Sequence, residues 1–260
     1  MNKVELTLIE HDIKVGQTCD YKTANITEDT LFMDNGELVG FYLKDLNQWS
    51  SRATKLLGVA NNEFLSDRVP KSMMSRSDAM TNDNGTGGVK QFSTILGATP
   101  PRPHMRRPYP SISSVHQNKD ASQFIKAMLM LSHEAEEIMS EIAPKLVERQ
   151  REVMTDIDAK WKFGNLFTSS ISNFNISADF HIDRGNIIDT CNVIFTKRKG
   201  SKGGSLHIPD YNATIEQADN SMLVYPAWRN MHGVTPIIKS HEEGYRNSLI
   251  FYPLKAFKGI

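Results

Sequence analysis

The chain has 260 residues, 39% of them hydrophobic and 23% charged, and its formal net charge at pH 7 is zero. This length is enough to bury a sizeable core, and the composition is ordinary for a soluble globular protein. The neutral charge argues against a uniformly basic nucleic-acid-binding protein, so any contact with phosphate has to come from local patches.

The expected cellular location rests on cysteine usage and hydropathy. Cys19 and Cys191 are the only cysteines, too few for a disulfide framework. The first residues carry Glu5, Glu10 and Asp12 where a signal peptide would need an unbroken apolar run. No stretch approaches the roughly 20 apolar residues of a membrane span. We therefore expect a cytoplasmic protein that is a monomer and has no membrane partner.

The N-terminal third predicts a hairpin and a helix. Apolar runs within residues 30–43 flank Asp-Asn-Gly at 34–36, and Asn-Gly favours the positive φ angles of a tight hairpin turn. Residues 45–75 have a weak helical pattern, and residues 82–88 have the Gly, Asn and Asp content of a flexible loop. We expect residues 1 to about 90 to form an N-terminal extension of a single domain.

A proline-rich segment follows a short strand in the middle of the chain. Residues 92–96 are apolar and predict the strand, and residues 100–110 contain five prolines. Proline lacks a backbone N–H and excludes both a helix interior and a central strand. The segment is therefore expected to be extended and to lie over the surface.

The clearest helix is predicted to begin near Asp120 or Ser122, either of which can cap it. Apolar residues then recur at the spacing of one buried helical face, at Phe124, Met128, Leu131, Ala135, Ile138 and Ile142. Pro144 ends or kinks this helix, and residues 145–157 predict a second helical stretch. We expect the methionines Met128, Met130 and Met139 to fill the core.

From residue 166 onward the pattern is that of strands. Six short β-prone runs are separated by turns, at 166–171, 177–182, 189–196, 205–209, 221–225 and 248–252. Such a series is typical of an all-β barrel or jelly roll. We therefore predict an α+β protein in which helices and the N-terminal hairpin pack around a jelly roll. Its core spans about 90–260, and the whole of 1–260 folds as a single unit.

Three residues of this C-terminal part predict a metal site. His181 and Asp183 lie at the end of an apolar run, where residues two apart point to the same face of a strand. His232 supplies a second imidazole. Two histidines and a carboxylate are the ligands of Fe(II) sites that leave one face open for a co-substrate and oxygen.

Chance alone also produces His-x-Asp/Glu pairs in a chain with 8 histidines and 30 acidic residues. One such pair, His241 and Glu243, lies in a polar stretch that predicts a solvated turn. His232 instead follows Trp228 and precedes Gly233, where a strand can begin and glycine permits close approach. On these neighbours alone, His232 is equally compatible with an ordinary half-buried histidine.

The last predicted strand begins with Arg246-Asn-Ser248. Arg246 and Ser248 share one face of that strand, so a guanidinium and a hydroxyl group can jointly bind a carboxylate. His207 and Asp210, which flank Pro209 on another strand, are interpreted as structural.

Five short motifs occur in order: His-Ile-Asp-Arg-Gly-Asn at 181–186, Gly-Gly-Ser-Leu-His-Ile-Pro at 203–209, residues 219–225, His-Gly-Val-Thr-Pro at 232–236 and Gly-Tyr-Arg-Asn-Ser-Leu-Ile-Phe-Tyr at 244–252. Together they resemble the TET/JBP family. Its members are Fe(II)- and 2-oxoglutarate-dependent dioxygenases of the double-stranded β-helix fold, a cupin-like jelly roll. They oxidise the 5-methyl group of pyrimidines in nucleic acid. The compact size is similar to phage and microbial members, and a viral protein would act in the host cytoplasm.

The resemblance implies roles for individual residues. His181, Asp183 and His232 would bind Fe(II), and Arg246 with Ser248 would hold the distal carboxylate of 2-oxoglutarate. With O₂ as co-substrate, the implied reaction converts a 5-methylpyrimidine in DNA to the 5-hydroxymethyl base and yields succinate and CO₂.

The same resemblance implies a pocket for the base. Tyr252, six residues after the arginine, would stack on the flipped base, and Asn186 is a candidate for contacting the base edge. Cytosine-acting members carry a histidine where this chain has Leu254. Specificity for 5-methylcytosine is therefore open, and thymine is the other candidate.

A methyl group inside a duplex cannot reach a buried iron, so the base has to be flipped out and the flanking phosphates held. Two basic segments could do so, one with Lys197, Arg198 and Lys199 and one with Arg102, Arg106 and Arg107. Each is equally compatible with a merely solvated loop.

Two other functions remain open at the level of sequence. One is a dioxygenase of the same fold that acts on a free nucleoside, a small molecule or a protein side chain. The other is an inactive jelly roll that binds nucleic acid or a partner.

Overall fold

The computed structural model describes residues 1–73 and 90–260, so the loop predicted at 82–88 lies outside the described residues. The helices are α1 (Ser51–Leu65), α2 (Ser122–Ile142) and α3 (Pro144–Val153). The strands are β1 (Asn2–Glu5), β2 (Thr30–Asp34), β3 (Glu37–Leu43), β4 (Ser72–Met73), β5 (Phe92–Thr99), β6 (Ser111–Ile112), β7 (Ser169–Phe174), β8 (Ala178–His181), β9 (Asn192–Lys199), β10 (Ser201–Gly203), β11 (Leu206–Ile208), β12 (Ala213–Ile215), β13 (Ser221–Tyr225), β14 (His232–Val234), β15 (Ile237–Lys239) and β16 (Tyr245–Tyr252).

Most strands belong to one large sheet with the order β1-β2-β3-β13-β9-β16-β7-β5-β4, and β6 pairs with β5. A second sheet of four strands has the order β12-β11-β14-β8, and β10 pairs with β15 alone. Ile194 and Leu223 of the large sheet share a buried cluster with Leu206 and Ile215 of the four-stranded sheet. The two sheets therefore pack face to face, as expected of a jelly roll.

The helices cover the other face of the large sheet. Leu57 of α1 and Phe124 of α2 belong to one buried cluster with Val193 and Phe195 of β9. Because side chains alternate along a strand, the neighbours Ile194 and Thr196 point to the opposite face. Strand β9 is thus buried on both sides, which explains its continuous apolar run.

The predicted N-terminal hairpin is confirmed. Strands β2 and β3 are antiparallel, and Asn35 and Gly36 at the turn have φ values of 51° and 79°. Strand β3 pairs with β13, so the hairpin extends the large sheet. The parallel pairing of β1 with β2 was not predicted from the sequence.

The helical predictions hold with two corrections. Helix α2 begins at Ser122 with the buried Ala121 at its N-cap and without a side-chain capping bond, so capping by Asp120 or Ser122 is wrong. Met130 is 43% exposed and does not fill the core, because it lies about 200° around the helix from the buried Met128. Pro144 ends α2 and is the first residue of α3, where its missing N–H costs nothing.

The C-terminal strands are close to their predicted positions, and β14 begins at His232 as expected, although three short strands, β10, β12 and β15, were missed. The segment at 100–110 is at the surface as expected, but it contains a single 3-10 turn at Pro103–Met105. In the part of the chain that the structure describes, no helix has the length and apolarity needed to cross a membrane.

Candidate active site

A cavity of about 320 Å³ lies between the two sheets. Its walls contain the residues that were predicted separately as metal ligands, co-substrate ligands and base contacts, namely His181, Asp183, Asn186, His232, Arg246, Ser248 and Tyr252. Leu254 also lines it, together with the unpredicted polar residues Asn173, Asn192, Gln217 and Tyr225. All residues predicted as metal ligands, co-substrate ligands and base contacts therefore line one cavity.

The metal-ligand prediction has the geometry of one site. Donor atoms of His181, Asp183 and His232 all lie within 4.8 Å of one another, and no other such group occurs among residues 1–73 and 90–260. His181 ends β8 directly opposite His232, the first residue of β14. Nε2 of His181 is 3.6 Å from Oδ1 of Asp183. Strand pairing thus joins ligands that are far apart in the chain.

Each of these three side chains is also held by a hydrogen bond to a residue outside the metal-ligand set. Nδ1 of His181 lies 2.7 Å from the carbonyl oxygen of Asp179, and Nδ1 of His232 lies 3.0 Å from that of Asn230. A carbonyl only accepts, so both Nδ1 atoms carry the proton and both Nε2 atoms are left free as donors of electron pairs. Nδ2 of Asn192 donates to Oδ2 of Asp183 at 3.0 Å. Partners of this kind orient metal ligands and set their tautomers.

Burial favours the neutral form of the inner histidine. His232 is 3% exposed, and its pKa is lowered by desolvation and by the neighbouring His181. A neutral imidazole is the form that binds a metal ion. The rings of Tyr225 and His232 form a T-shaped contact with centroids 5.4 Å apart, and Tyr225 lines the same cavity.

The competing His-x-Glu pair is excluded from the site, as predicted. His241 and Glu243 are exposed, and Glu243 lies 3.6 Å from Nζ of Lys199. His207 is buried, hydrogen bonds to Thr214 Oγ1 at 2.9 Å, and has a pKa lowered to about 4 by burial. Its structural interpretation is consistent with these contacts.

Arg246 is 2% exposed, and burial lowers the pKa of its guanidinium to about 9. Its Nε has no hydrogen-bond partner among the described residues. Gly204 makes room for it: a Cβ on that glycine would be 2.7 Å from Cδ of Arg246, and the glycine has a φ of +66°. Ser248, two residues along β16, lies in the same cavity wall. A buried cation with an unused donor beside a hydroxyl group fits a carboxylate.

The opposite part of the cavity has the predicted base contacts. Burial and the nearby Asp183 raise the pKa of Tyr252, which keeps its hydroxyl group protonated. Asn186 is 5% exposed, and its Nδ2 donates to Oδ1 of Asn192 at 2.7 Å. The backbones of Leu254 and Asn186 form an isolated antiparallel β-bridge. The two side chains therefore border the same end of the cavity.

The two basic segments do not form a uniformly exposed positive surface. Nζ of Lys197 lies 2.9 Å from Oδ2 of Asp219, and the guanidinium of Arg198 is turned into the protein, whereas Lys199 is exposed. Of the other segment, Arg106 and Arg107 are exposed and Arg102 is half-buried. Contact of any of them with phosphate stays a prediction.

The residues present fit the groups that the resemblance implies. Two histidines with fixed tautomers and one carboxylate converge as a 2-His-1-carboxylate set, and a buried arginine with an unpaired Nε lines the same cavity. The two packed sheets and this set together agree with the fold and the metal-binding residues that were predicted from the sequence. The sequence gave no signal for the contact of Asn192 with Asp183 or of Gly204 with Arg246, because each contact depends on how separate strands and loops come together in space.

Comparison with known proteins supports the fold. No family model matches the chain, and no curated protein is similar to it. Among solved structures, NgTET1 in complex with 5mC DNA superposes with a TM-score of 0.61 at 14% identity, covering 92% of this chain and 85% of that chain. A 2OG-Fe(II) oxygenase from Burkholderia pseudomallei and full-length T7H from Neurospora crassa with alpha-KG each reach a TM-score of 0.42 at 12% identity, with 82% of this chain and 84% and 75% of theirs covered. The likeness to NgTET1 confirms the predicted fold.

Proposed function

We propose that the protein is an Fe(II)- and 2-oxoglutarate-dependent dioxygenase that hydroxylates the 5-methyl group of a pyrimidine in DNA. The products are the 5-hydroxymethyl base, succinate and CO₂. The observation that carries this proposal is the single cavity that contains three metal donors, a carboxylate-binding arginine and an aromatic residue with an amide beside it.

His181, Asp183 and His232 would hold Fe(II) through two imidazole Nε2 atoms and a carboxylate oxygen. When bound, the metal and 2-oxoglutarate supply the oxygen activation that hydroxylation of a C–H bond requires. The protein's part is to orient both imidazoles through the carbonyl oxygens of Asp179 and Asn230, which accept from the two Nδ1 atoms and leave both Nε2 atoms free.

Arg246 and Ser248 would bind the distal carboxylate of the co-substrate. The guanidinium is already desolvated, and its Nε lacks an acceptor, so a carboxylate at this place satisfies a group that the fold leaves unpaired. The apolar side chains Ile194 and Ile250, which are paired across β9 and β16, line the cavity on the same face of the sheet.

The base would lie at the end formed by Tyr252, Asn186 and Leu254. Because Nδ2 of Asn186 is used by Asn192, its Oδ1 remains as an acceptor. That acceptor suits the exocyclic amine of 5-methylcytosine and also the N3–H of thymine. Leu254 offers no hydrogen bond, so the proposal retains both bases as substrates.

Recognition of DNA would require a flipped base and contacts with the backbone on either side. Arg102 is close enough to Tyr252 that its charge acts to lower the pKa of this tyrosine against the effect of burial. The exposed Arg106 and Arg107 continue from it, and Lys199 is exposed at the end of β9. We assign phosphate contacts to these residues. The likeness to NgTET1, solved with 5mC DNA, supports a DNA substrate.

The test is incubation of the protein with Fe(II), 2-oxoglutarate and DNAs containing thymine or 5-methylcytosine, followed by mass spectrometry of the nucleosides. Formation of a 5-hydroxymethyl base that depends on 2-oxoglutarate is expected. His181→Ala and Asp183→Ala should abolish it. Activity that survives both substitutions would contradict the assignment of the metal ligands.

A second function has one observation in its favour. Lys197 is paired with Asp219 and Arg198 with backbone carbonyl oxygens, which leaves fewer unpaired cations for DNA than the sequence indicated. The same chemistry could then act on a free nucleoside, a small molecule or a protein side chain. Turnover of free thymidine, unchanged when Lys199, Arg106 and Arg107 are neutralised, would favour this alternative.

We also propose that the chain acts as one unit and as a monomer. The N-terminal hairpin pairs with β13, and α1 shares its buried cluster with α2 and the central strands. A cooperative unfolding transition and a monomeric mass by light scattering are the expected results.

A further inference from the structure

A polar groove of about 530 Å³ lies beside the active-site cavity. Ser93 and Ile95 of β5 line the groove, and they pair in antiparallel register with Asn173 and Ile171 of β7, which line the cavity. Paired residues project from the same face of a sheet, and neighbouring strands are about 4.8 Å apart. The groove and the cavity are therefore next to each other on one face of the large sheet.

The lining of the groove is positively charged and rich in hydroxyl groups. Its charged residues are Lys71, Arg102 and Arg107, and no aspartate or glutamate lines it in the part of the chain that the structure describes. Serine or threonine lines it at positions 72, 93, 94, 99, 111, 113 and 114. The whole chain has equal numbers of acidic and basic residues, so this lining is a local excess of positive charge. Such a surface favours a ligand that carries phosphate groups.

The two arginines of the groove are held side by side by their backbones. The backbone N–H of Arg102 donates to the carbonyl oxygen of Arg107 at 2.6 Å, and the N–H of Arg107 donates to that of Arg102 at 3.1 Å. Residues that exchange both bonds project from one face, where like charges repel each other and a shared anion relieves the repulsion. The positive charge of Arg102 also acts to lower the pKa of Tyr252, so this arginine lies near the base end of the cavity.

Tyr109 supplies an aromatic surface in the same groove. It is 79% exposed and lies between Pro108 and Pro110. Proline fixes its own φ and restricts the residue before it to extended backbone, so the ring is carried by a stiff segment. A cationic groove that contains an aromatic side chain is the combination that binds single strands, because the cations contact phosphates and an unpaired base stacks on the ring.

We propose that this groove binds the single DNA strand that flanks the target base, with its phosphates on Arg102 and Arg107 and a neighbouring unpaired base stacked on Tyr109. The inference rests on the proposed function, and it adds a preference for single-stranded over double-stranded DNA. A base inside a duplex is already stacked on its neighbours and is not available to the tyrosine ring. An unpaired target base also enters the cavity without the cost of breaking a base pair.

The experiment measures binding of fluorescein-labelled DNA to the full-length protein by fluorescence anisotropy, without iron or 2-oxoglutarate. A single strand is compared with a hairpin duplex that contains the same target sequence, and the single strand should bind at least about tenfold more tightly. Tyr109→Ala should weaken single-strand binding roughly 5- to 100-fold, as expected for the loss of one stacked base, and should change duplex binding less than about twofold.

Two matched variants serve as controls. Tyr109→Phe keeps the aromatic ring and should bind the single strand as the unmodified protein does. Tyr21→Ala removes a tyrosine that is 50% exposed in a different pocket, beside Gly203, and should change neither affinity. Because Tyr109 is exposed, its replacement is not expected to disturb folding, and circular dichroism checks this.

Three results would overturn the inference. They are equal affinity for the single strand and the duplex, unchanged single-strand binding by Tyr109→Ala, and displacement of the single strand by polyglutamate as effectively as by unlabelled DNA. The last result would assign the groove to polyanions in general. A protein that binds the single strand through Tyr109 but forms no hydroxymethyl base from any DNA would contradict the proposed function alone.

Discussion

Nδ2 of Asn192 donates a hydrogen bond to Oδ2 of Asp183 at 3.0 Å, and Oδ1 of the same Asn192 accepts from Asn186 at 2.7 Å. A chain of amides therefore connects a proposed base contact with a proposed metal ligand. The first bond leaves Oδ1 of Asp183 directed toward His181. Asn192 is for this reason a positioning residue for the metal site.

Asn192→Ala should lower the affinity for a divalent metal about 10- to 100-fold, the usual effect of losing a partner that orients a metal ligand. Titration with Co(II), followed by absorbance and calorimetry, measures the change. The control is Asn62→Ala, an exposed asparagine on α1. Metal affinity equal to that of the unmodified protein would show that Asp183 does not need this bond.

Arg246→Met should abolish detectable binding of 2-oxoglutarate and leave binding of Co(II) within about threefold. The reason is that the guanidinium supplies a charge-assisted contact to the ligand and none to the metal donors. Calorimetric titration first with the metal and then with the co-substrate separates the two effects. A variant that loses both affinities together would indicate collapse of the cavity.

Gly204→Ala should weaken 2-oxoglutarate binding and destabilise the protein, because the new Cβ would lie 2.7 Å from Cδ of Arg246 on a backbone with φ of +66°. Gly58→Ala is the matched control. It is in α1, where nothing lies within 4 Å of the added Cβ, and should raise the free energy of unfolding by about 1 kcal/mol. Urea denaturation measures both. Equal stability of the two variants would refute the close packing on Arg246.

Leu254→His should shift the preference toward 5-methylcytosine. An imidazole beside Asn186 adds a hydrogen-bonding group at the base edge, where leucine has none. The measurement is the ratio of hydroxymethyl products from a DNA containing both bases, with Leu254→Met as the apolar control. If both variants give the same ratio, this position does not read the base.

Replacement of both Arg106 and Arg107 by alanine should weaken DNA binding and reduce the dependence of log K on log salt by about 2. The two residues are exposed next to Arg102, whose charge acts on Tyr252 in the cavity. Fluorescence anisotropy at several salt concentrations measures the slope. Replacement of Lys126 by alanine, on the exposed part of α2, should leave the slope unchanged.

Much of the fold and of the metal site could be predicted from the sequence because both depend on residue patterns that repeat over two to four positions. Side chains two apart share a face of a strand, which places Arg246 with Ser248 and puts Ile194 opposite to Phe195. The Asn-Gly turn of the hairpin is equally local. The prediction of a polar cap for α2 was wrong because the N-cap position is buried and holds an alanine.

The sequence by itself predicted the ligand residues, two histidines, a carboxylate and an arginine, because each lies in a strand or beside a glycine turn of recognisable pattern. It did not predict which residues these side chains contact. Arg198 lies opposite Arg246 only because β9 and β16, which are distant in the chain, pair in one register. Asn192 and Asp183 are nine residues apart, and their hydrogen bond joins the start of β9 to the segment that follows β8 of the other sheet. A period of two tells which face a side chain takes, but long-range pairing determines which residue it meets. That is why Arg198 is held by the backbone carbonyl oxygens of Gly203 and Gln217, although the sequence left its segment open between contact with phosphate and a solvated loop.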